Sequence, residues 1–296
     1  VLDGLVVIFD GVAGVQAQSE TVWHQADKFD VPRMVFLNKL DRVGADFNYC
    51  IEDIKKKFGI KPILMNMPYY EDETIRGVID LFEKKLLRWD DHNSTEFNQA
   101  EVPAELNEEV ESRHKALLEA VVEHNEELLA LYLEGEEIPR EQFHGELRKL
   151  VIDREAVPVF TGSALKNTGV QPLLNGIVDY LPSPLDMSPV RGKDPTKEED
   201  VLIDIEKEEN FLGYAFKITK DPYFNRLTYM RVYTGGLKQG QVIYNDLSRE
   251  RERVMKLFLV HADSRTEVDE VGPGSIVGVA GLKNTKTGDT LSSPGF

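Results

Sequence analysis

Asn38, Lys39 and Asp41 form the most pointed chemical cluster of the sequence, an Asn-Lys-x-Asp string directly after the apolar run 34–37 (MVFL). One carboxylate at position 41 can accept from both the N1 hydrogen and the exocyclic amine on one edge of guanine, which neither adenine nor a pyrimidine permits. The aliphatic stem of Lys39 can lie over a flat base. The Asn38 amide can bond both the base and a neighbouring loop. Such a tetrapeptide also serves as a plain polar turn, so its place matters: α/β sheets bind ligands beyond the C-terminal ends of their strands. A second loop is placed alike. Ser163, Ala164 and Leu165 follow the apolar run 157–160 (VPVF), and a small residue with a free backbone N–H suits the guanine O6 acceptor. Gly-Ser-Ala is common in ordinary turns. Its weight comes from following a strand that should neighbour the one before Asn38 once the intervening residues are set aside.

Other candidates carry less. No GxxxxGK[ST] string occurs, so the amides, Lys and hydroxyl that would cradle phosphates and Mg²⁺ are not supplied by any such loop. His24, His114, His124, His144 and His261 lack metal-ligand spacing and read as surface or cap residues. Arg249, Arg251 and Arg253 alternate with Glu250 and Glu252, which on a strand separates the two charges onto opposite faces. A solvated face with cross-strand pairs and a phosphate-contacting stripe both fit that pattern.

The elements that must position the two loops follow from periodicity. Residues 5–9 (LVVIF), 34–37 and 157–160 read as strands buried on both faces, 17–29, 47–58 and 170–181 as the helices between and after them, the second ending at Gly59. That is a parallel α/β sheet. Between them lies an insertion. It begins with strand-like pieces at 63–67 and 77–80 and turns helical from about 103 to 150, where residues 101–150 hold fourteen Glu against five Lys or Arg above a buried stripe of Leu117, Leu118, Val121 and Val122. Residues 185–208 read as a polar linker with one edge strand. Short runs at 213–218, 227–233, 241–244, 252–257 and 275–280 then suit a small antiparallel barrel across 209–293.

Composition excludes some classes. A net charge of −17 with pI near 4.9 argues against a protein that coats nucleic acid without specificity, leaving only local RNA contacts. The single Cys50 rules out an internal disulfide and suits a reducing compartment. No apolar run reaches the roughly 18–20 residues of a membrane span, and the first residues lack a basic-then-apolar leader.

The runs DGVAGVQAQSETVWHQADKFDVPRMVFLNKLDRVGADF, VPVFTGSALKNTGVQPLLNGIVDYLPSP, RLTYMRVYTGGLKQGQVIYN and GLKNTKTGDTL resemble elongation factor G of bacteria and mitochondria, over nearly all 296 residues. The resemblance implies a partial α/β GTP-binding domain at 1–60 and 154–185 with a parallel sheet. It places an α+β acidic subdomain at 61–153, followed by an all-β antiparallel barrel, domain 2 of a translation factor, at 186–296. It implies a GTPase that binds GTP or GDP and Mg²⁺ and promotes tRNA and mRNA movement on the ribosome. A paralogue class assists ribosome recycling instead, and a non-catalytic ribosome- or stalk-binding module is a further alternative. Expected partners are ribosomal RNA through the barrel and the stalk protein through the acidic insertion, with no membrane, for a monomer of the cytoplasm or, if organellar, the mitochondrial matrix. The family's phosphate loop, switch Thr and Asp-Thr-Pro-Gly-His segment would precede Val1. The chain as it stands is therefore expected to keep only the guanine end of the site, Asn38, Lys39, Asp41, Ser163, Ala164 and Leu165, and not to hydrolyse GTP. No catalytic residue and no metal ligand is assigned.

Overall fold

Two apolar runs start the first sheet. β1 (Leu5–Asp10) and β2 (Arg33–Asn38) pair in parallel, with Asp10 level with Asn38. α1 (Ala17–Lys28) joins them and buries Trp23, whose ring stacks at 4.1 Å on Phe58. Phe58 ends α2 (Phe47–Phe58), the helix expected from the sequence: Asp46 caps it by accepting from Tyr49 N–H at 2.9 Å, and Gly59 closes it with φ 65°. Left-handed backbone at that position strains any residue with a β-carbon. β3 (Pro62–Leu64) follows.

The insertion has two layers. β4 (Asn66–Glu71), β5 (Thr74–Asp80), β6 (Lys85–Arg88) and β7 (Asn98–Glu101) form an antiparallel meander. Helices α3 (Asn107–Val122), α4 (Glu126–Glu134) and α5 (Arg140–Ile152) come next, and Leu117, Val121, Leu128, Phe143 and Leu147 belong to the core shared with the parallel sheet. The chain returns as β8 (Val157–Thr161), which slots between β2 and β3 to give the order β1-β2-β8-β3, and ends in α6 (Val170–Tyr180). β2 and β8 are neighbours as expected, Leu37 level with Thr161. One assignment needs correcting. Residues 62–64, grouped with the insertion above, belong to the parallel sheet, with Leu64 level with Val159; Met65 still donates its N–H to Val159 O before the chain leaves for β4.

The structure, a computed structural model, describes residues 1–89, 96–187, 189–194, 199–262 and 264–296. They form two compact units, Leu2–Pro182 and, with Val1, Ser183–Phe296. In the second, the expected linker carries a hairpin, β9 (Val190–Lys193) with β10 (Asp200–Ile203), where one strand was expected; residues 188 and 195–198 of it lie outside the described residues. The strands that follow are β11 (Leu212–Asp221), β12 (Asn225–Thr234), β13 (Leu237–Lys238), β14 (Val242–Asn245), β15 (Glu250–Arg253), β16 (Lys256–His261), β17 (Ser264–Val268), β18 (Glu270–Val271), β19 (Ile276–Ala280) and β20 (Thr290–Ser292). Eight make one antiparallel sheet, β15-β14-β20-β11-β12-β19-β16-β17, and β13 pairs with β18. Met230, Ile243, Leu257 and Leu291 share one core although they come from strands spread across the sheet. The single strand expected at 252–257 is two: the Val254 backbone bonds Gly240 and Gln241, then Met255 N–H turns to Ala280 O, so the chain changes partners at that corner.

Candidate functional site

β1, β2 and β8 all end at the same edge of the parallel sheet, and the residues just past their ends face one another. Asn38 Oδ1 accepts two backbone N–H groups, Lys39 at 2.8 Å and Ala164 at 2.9 Å, and so ties the Asn-Lys-x-Asp loop to the second loop. Backbone bonds reinforce the tie: Gly162 N–H to Leu37 O at 3.0 Å, and Leu40 N–H to Gly162 O at 3.2 Å. Lys39 is left-handed (φ 64°), a conformation that costs a residue with a β-carbon roughly 1–2 kcal/mol. Its ammonium donates to Asp10 Oδ2 at 2.6 Å.

Asp10 is the member of this cluster missed by sequence reasoning, which gave the DGVAG segment only a turn role. Its Oδ1 also accepts Val12 N–H at 2.9 Å, and the Lys39 contact, then that amide, hold its carboxyl below the ordinary carboxylate range. The register that sets Asp10 beside Asn38 was the available signal. Beneath it, Cys50 donates to Gly11 O at 3.2 Å, and burial pushes its thiol up to about 11, so it stays protonated and unreactive at neutral pH.

The second loop is closed on itself. Ser163 N–H donates to Thr168 O at 2.9 Å and Thr168 N–H returns to Ser163 O at 3.0 Å, while Lys166 N–H donates to Ser163 Oγ. Gly162 is required here, because a β-carbon would stand 2.1 Å from Thr168 O. This architecture decides which amide is free. Ser163 and Ala164 already donate to protein acceptors, whereas exposed Leu165 N–H donates to none among the described residues. Asp41 is half-buried, and neither its carboxylate nor Asn38 Nδ2 has a protein partner among those residues. The structure thus brings all six candidate residues to one edge, with an acceptor and two donors open.

The remaining candidates have other employment. His114 bonds Leu81 O at 2.7 Å, His144 bonds Tyr180 Oη at 2.5 Å, and no three His, Cys, Asp or Glu side chains gather as a metal site among the described residues. In β15, Arg251 and Arg253 are exposed but Glu252 is buried, accepting from Lys283 N, Asn284 N at 2.9 Å and Thr285 Oγ1. Glu252 thus anchors residues 283–285, while Glu250 and both arginines stay exposed. Arg249 has φ 59° and lies outside the strand.

Comparisons with known proteins agree with the fold, an α/β unit followed by an all-β one. The family described as elongation factor Tu GTP binding domain matches residues 1–183, and elongation factor G domain 2 matches 210–294. Elongation factor G of Thermotoga petrophila is 46% identical over 98% of this chain and 42% of its own length, and that of Fervidobacterium nodosum is 45% identical with the same coverage. The chain thus spans less than half the length of these relatives. A crystal structure of a protein from Thermus thermophilus superposes with TM-score 0.82 at 31% identity, over 99% of this chain and 41% of that one.

Proposed function

The chain belongs to the elongation factor G family of translational GTPases, and from that premise we propose that its two loops bind the guanine base of GTP or GDP. The observation that carries the reading is the set of groups left open where Asn38 joins the loops. The Asp41 carboxylate would accept from N1 and the exocyclic amine, Leu165 N–H would donate to O6, and Asn38 Nδ2 would donate to N7. Lys39, tethered to Asp10, would lay its stem over the ring. Adenine would set an amine against the Leu165 donor and a bare N1 against the Asp41 acceptor, leaving both unpaired. No residue is assigned to Mg²⁺, since no group of ligands for it gathers among the described residues.

For the intact protein, the reading extends to GTP hydrolysis coupled to tRNA and mRNA movement on the ribosome, in the cytoplasm, by a monomer. The acidic helices α3 and α4 would face the stalk protein, and Arg251 and Arg253 ribosomal RNA. Neither the Asn38 nor the Leu165 loop supplies a phosphate cradle. The chain alone, with base contacts worth about 1 kcal/mol each after desolvation, should bind GDP no tighter than millimolar, and calorimetry giving sub-micromolar affinity would contradict this. In the intact protein, Asp41→Asn puts a donor where xanthine offers a carbonyl. It should lower GDP affinity at least about ten-fold and shift preference to xanthosine diphosphate. A mutant that still prefers GDP by the wild-type margin removes Asp41 as the base reader.

A further inference from the structure

Three side chains of the inserted segment bond the two base loops or the elements that carry them. From β4, Tyr70 donates its hydroxyl to Leu40 O at 3.2 Å, one residue before Asp41. Also from β4, Asn66 Oδ1 accepts from Thr161 N at 2.8 Å and Thr161 Oγ1 at 2.9 Å, at the residue that ends β8. Just past β6, Trp89 Nε1 donates to Gln171 Oε1 at 3.1 Å, and Gln171 Nε2 donates to Asn167 Oδ1 at 3.2 Å. Asn167 is left-handed (φ 52°), and its own N–H reaches Ala164 O at 3.3 Å, closing the turn that presents Leu165.

Two of the three residues lie away from solvent, while Tyr70 is 38% exposed and makes its bond from the rim. Asn66 is 2% and Trp89 4% exposed, and bonds shielded from water are the expensive ones to leave unmade. Burial, with the Asp41 carboxylate adding to it, pushes the Tyr70 phenol up to about 12, so it remains a neutral donor across the physiological range. Packing alone would seat an aromatic ring at either place. It would not aim a hydroxyl at the first loop and an indole N–H at Gln171, the α6 residue whose amide braces the second.

We infer that the inserted sheet β4–β7 is the frame that positions both base-reading loops, so that the state of the insertion sets nucleotide affinity. The inference rests on the guanine reading above. Tyr70, Asn66, Trp89 and Gln171 are positioning residues: each fixes the backbone from which a reading group extends. The two loops respond together, because Asn38 Oδ1 bonds both. A ligand that docks on the insertion and shifts this frame changes nucleotide affinity, and bound nucleotide changes the affinity of that ligand by the same factor.

Tyr70→Phe deletes only the hydroxyl, and Gln171→Met keeps the length of the side chain while removing both bonds of its relay. Amide hydrogen exchange of the chain by NMR and GDP titration of the intact protein give the test. Both variants should speed exchange at Lys39, Arg42, Ala164 and Asn167 about five-fold or more, leave α3 and the second unit unchanged, and weaken GDP binding about three- to ten-fold, as expected for one lost half-buried bond. Wild-type loop exchange and GDP affinity in both variants would overturn the frame. Should Gln171→Met lower the melting temperature of the whole unit, Tyr70→Phe decides alone. Asp41→Asn run alongside separates the two ideas: if it leaves GDP binding untouched, the guanine reading fails; if it abolishes binding while the frame variants do nothing, only the frame fails.

Discussion

At the scale of single residues, the proposed base site depends on a few tightly constrained positions. Asn38 must offer an oxygen to two amides at once, and Lys39 must hold a left-handed backbone while its ammonium reaches Asp10. Gly162 is the tightest of them, since the obstacle to a β-carbon is the Thr168 carbonyl, which the Ser163–Thr168 bridge fixes. Gly162→Ala should destabilise the first unit by about 1–3 kcal/mol, the range for forced overpacking. Gly145, exposed within α5 and with nothing within 4 Å of where a β-carbon would stand, is the internal control. Gly145→Ala should stabilise by about 0.5–1 kcal/mol through helix propensity. Urea unfolding checks the pair, and opposite signs are the expected result.

At the scale of elements, α5 and α6 are joined by a titratable contact. His144 Nδ1 meets Tyr180 Oη at 2.5 Å, and Arg148 donates to Val178 O and Asp179 O at 3.2 and 2.9 Å, covering carbonyls at the end of α6. Burial holds the His144 pKa below its usual value; Arg140 adds to that, while Asp179 and Glu83 oppose it. A histidine whose folded pKa is depressed lends stability above its unfolded pKa, about 6.5, and that stability is lost as pH falls through the folded value. Between pH 7.5 and 5 the wild type should therefore lose more stability than His144→Asn, which keeps a polar partner for Tyr180 without titrating. Parallel pH profiles from urea unfolding would refute this. Elements like these differ in how plainly the sequence announces them. α2 was legible to the residue because an Asp cap and a glycine stop bracket an apolar stripe, and β2 and β8 because each is built on a continuous apolar run, 34–37 and 157–160. β7 (NQAE) is exposed along its whole length and has no alternation to detect. The six site residues stood out by type, but which amide of the second loop is free depends on the Ser163–Thr168 bridge. The Trp89–Gln171 bond spans 82 positions and leaves no periodic trace.

At the scale of the whole molecule, the charge of −17 is unevenly used. Part of the insertion's acid has local work: Glu108, Glu109, Glu126 and Glu127 sit in first turns of α3 and α4, where the helix dipole favours them, and Glu146 is buried against Asn125 and Lys149. Glu119 and Glu123 remain half-exposed beside Lys115 and Lys61, pairs worth little in water. Reversing Glu119, Glu123 and Glu127 to Lys in the intact protein should slow ribosome-stimulated GTP turnover, with the loss fading as salt shortens the Debye length below about 8 Å, and leave nucleotide affinity alone. Unchanged turnover and salt dependence would reduce this face to solvation. The placement of the insertion also has a consequence in time. The bond between Asn38 and Ala164 spans 126 residues, and synthesis at about 5–20 residues per second puts about 6–25 s between the making of one loop and the other. Throughout that interval Asn38 has no second loop to hold, so the emerging chain must make β4–β7 and three helices before the proposed guanine pocket can exist at all.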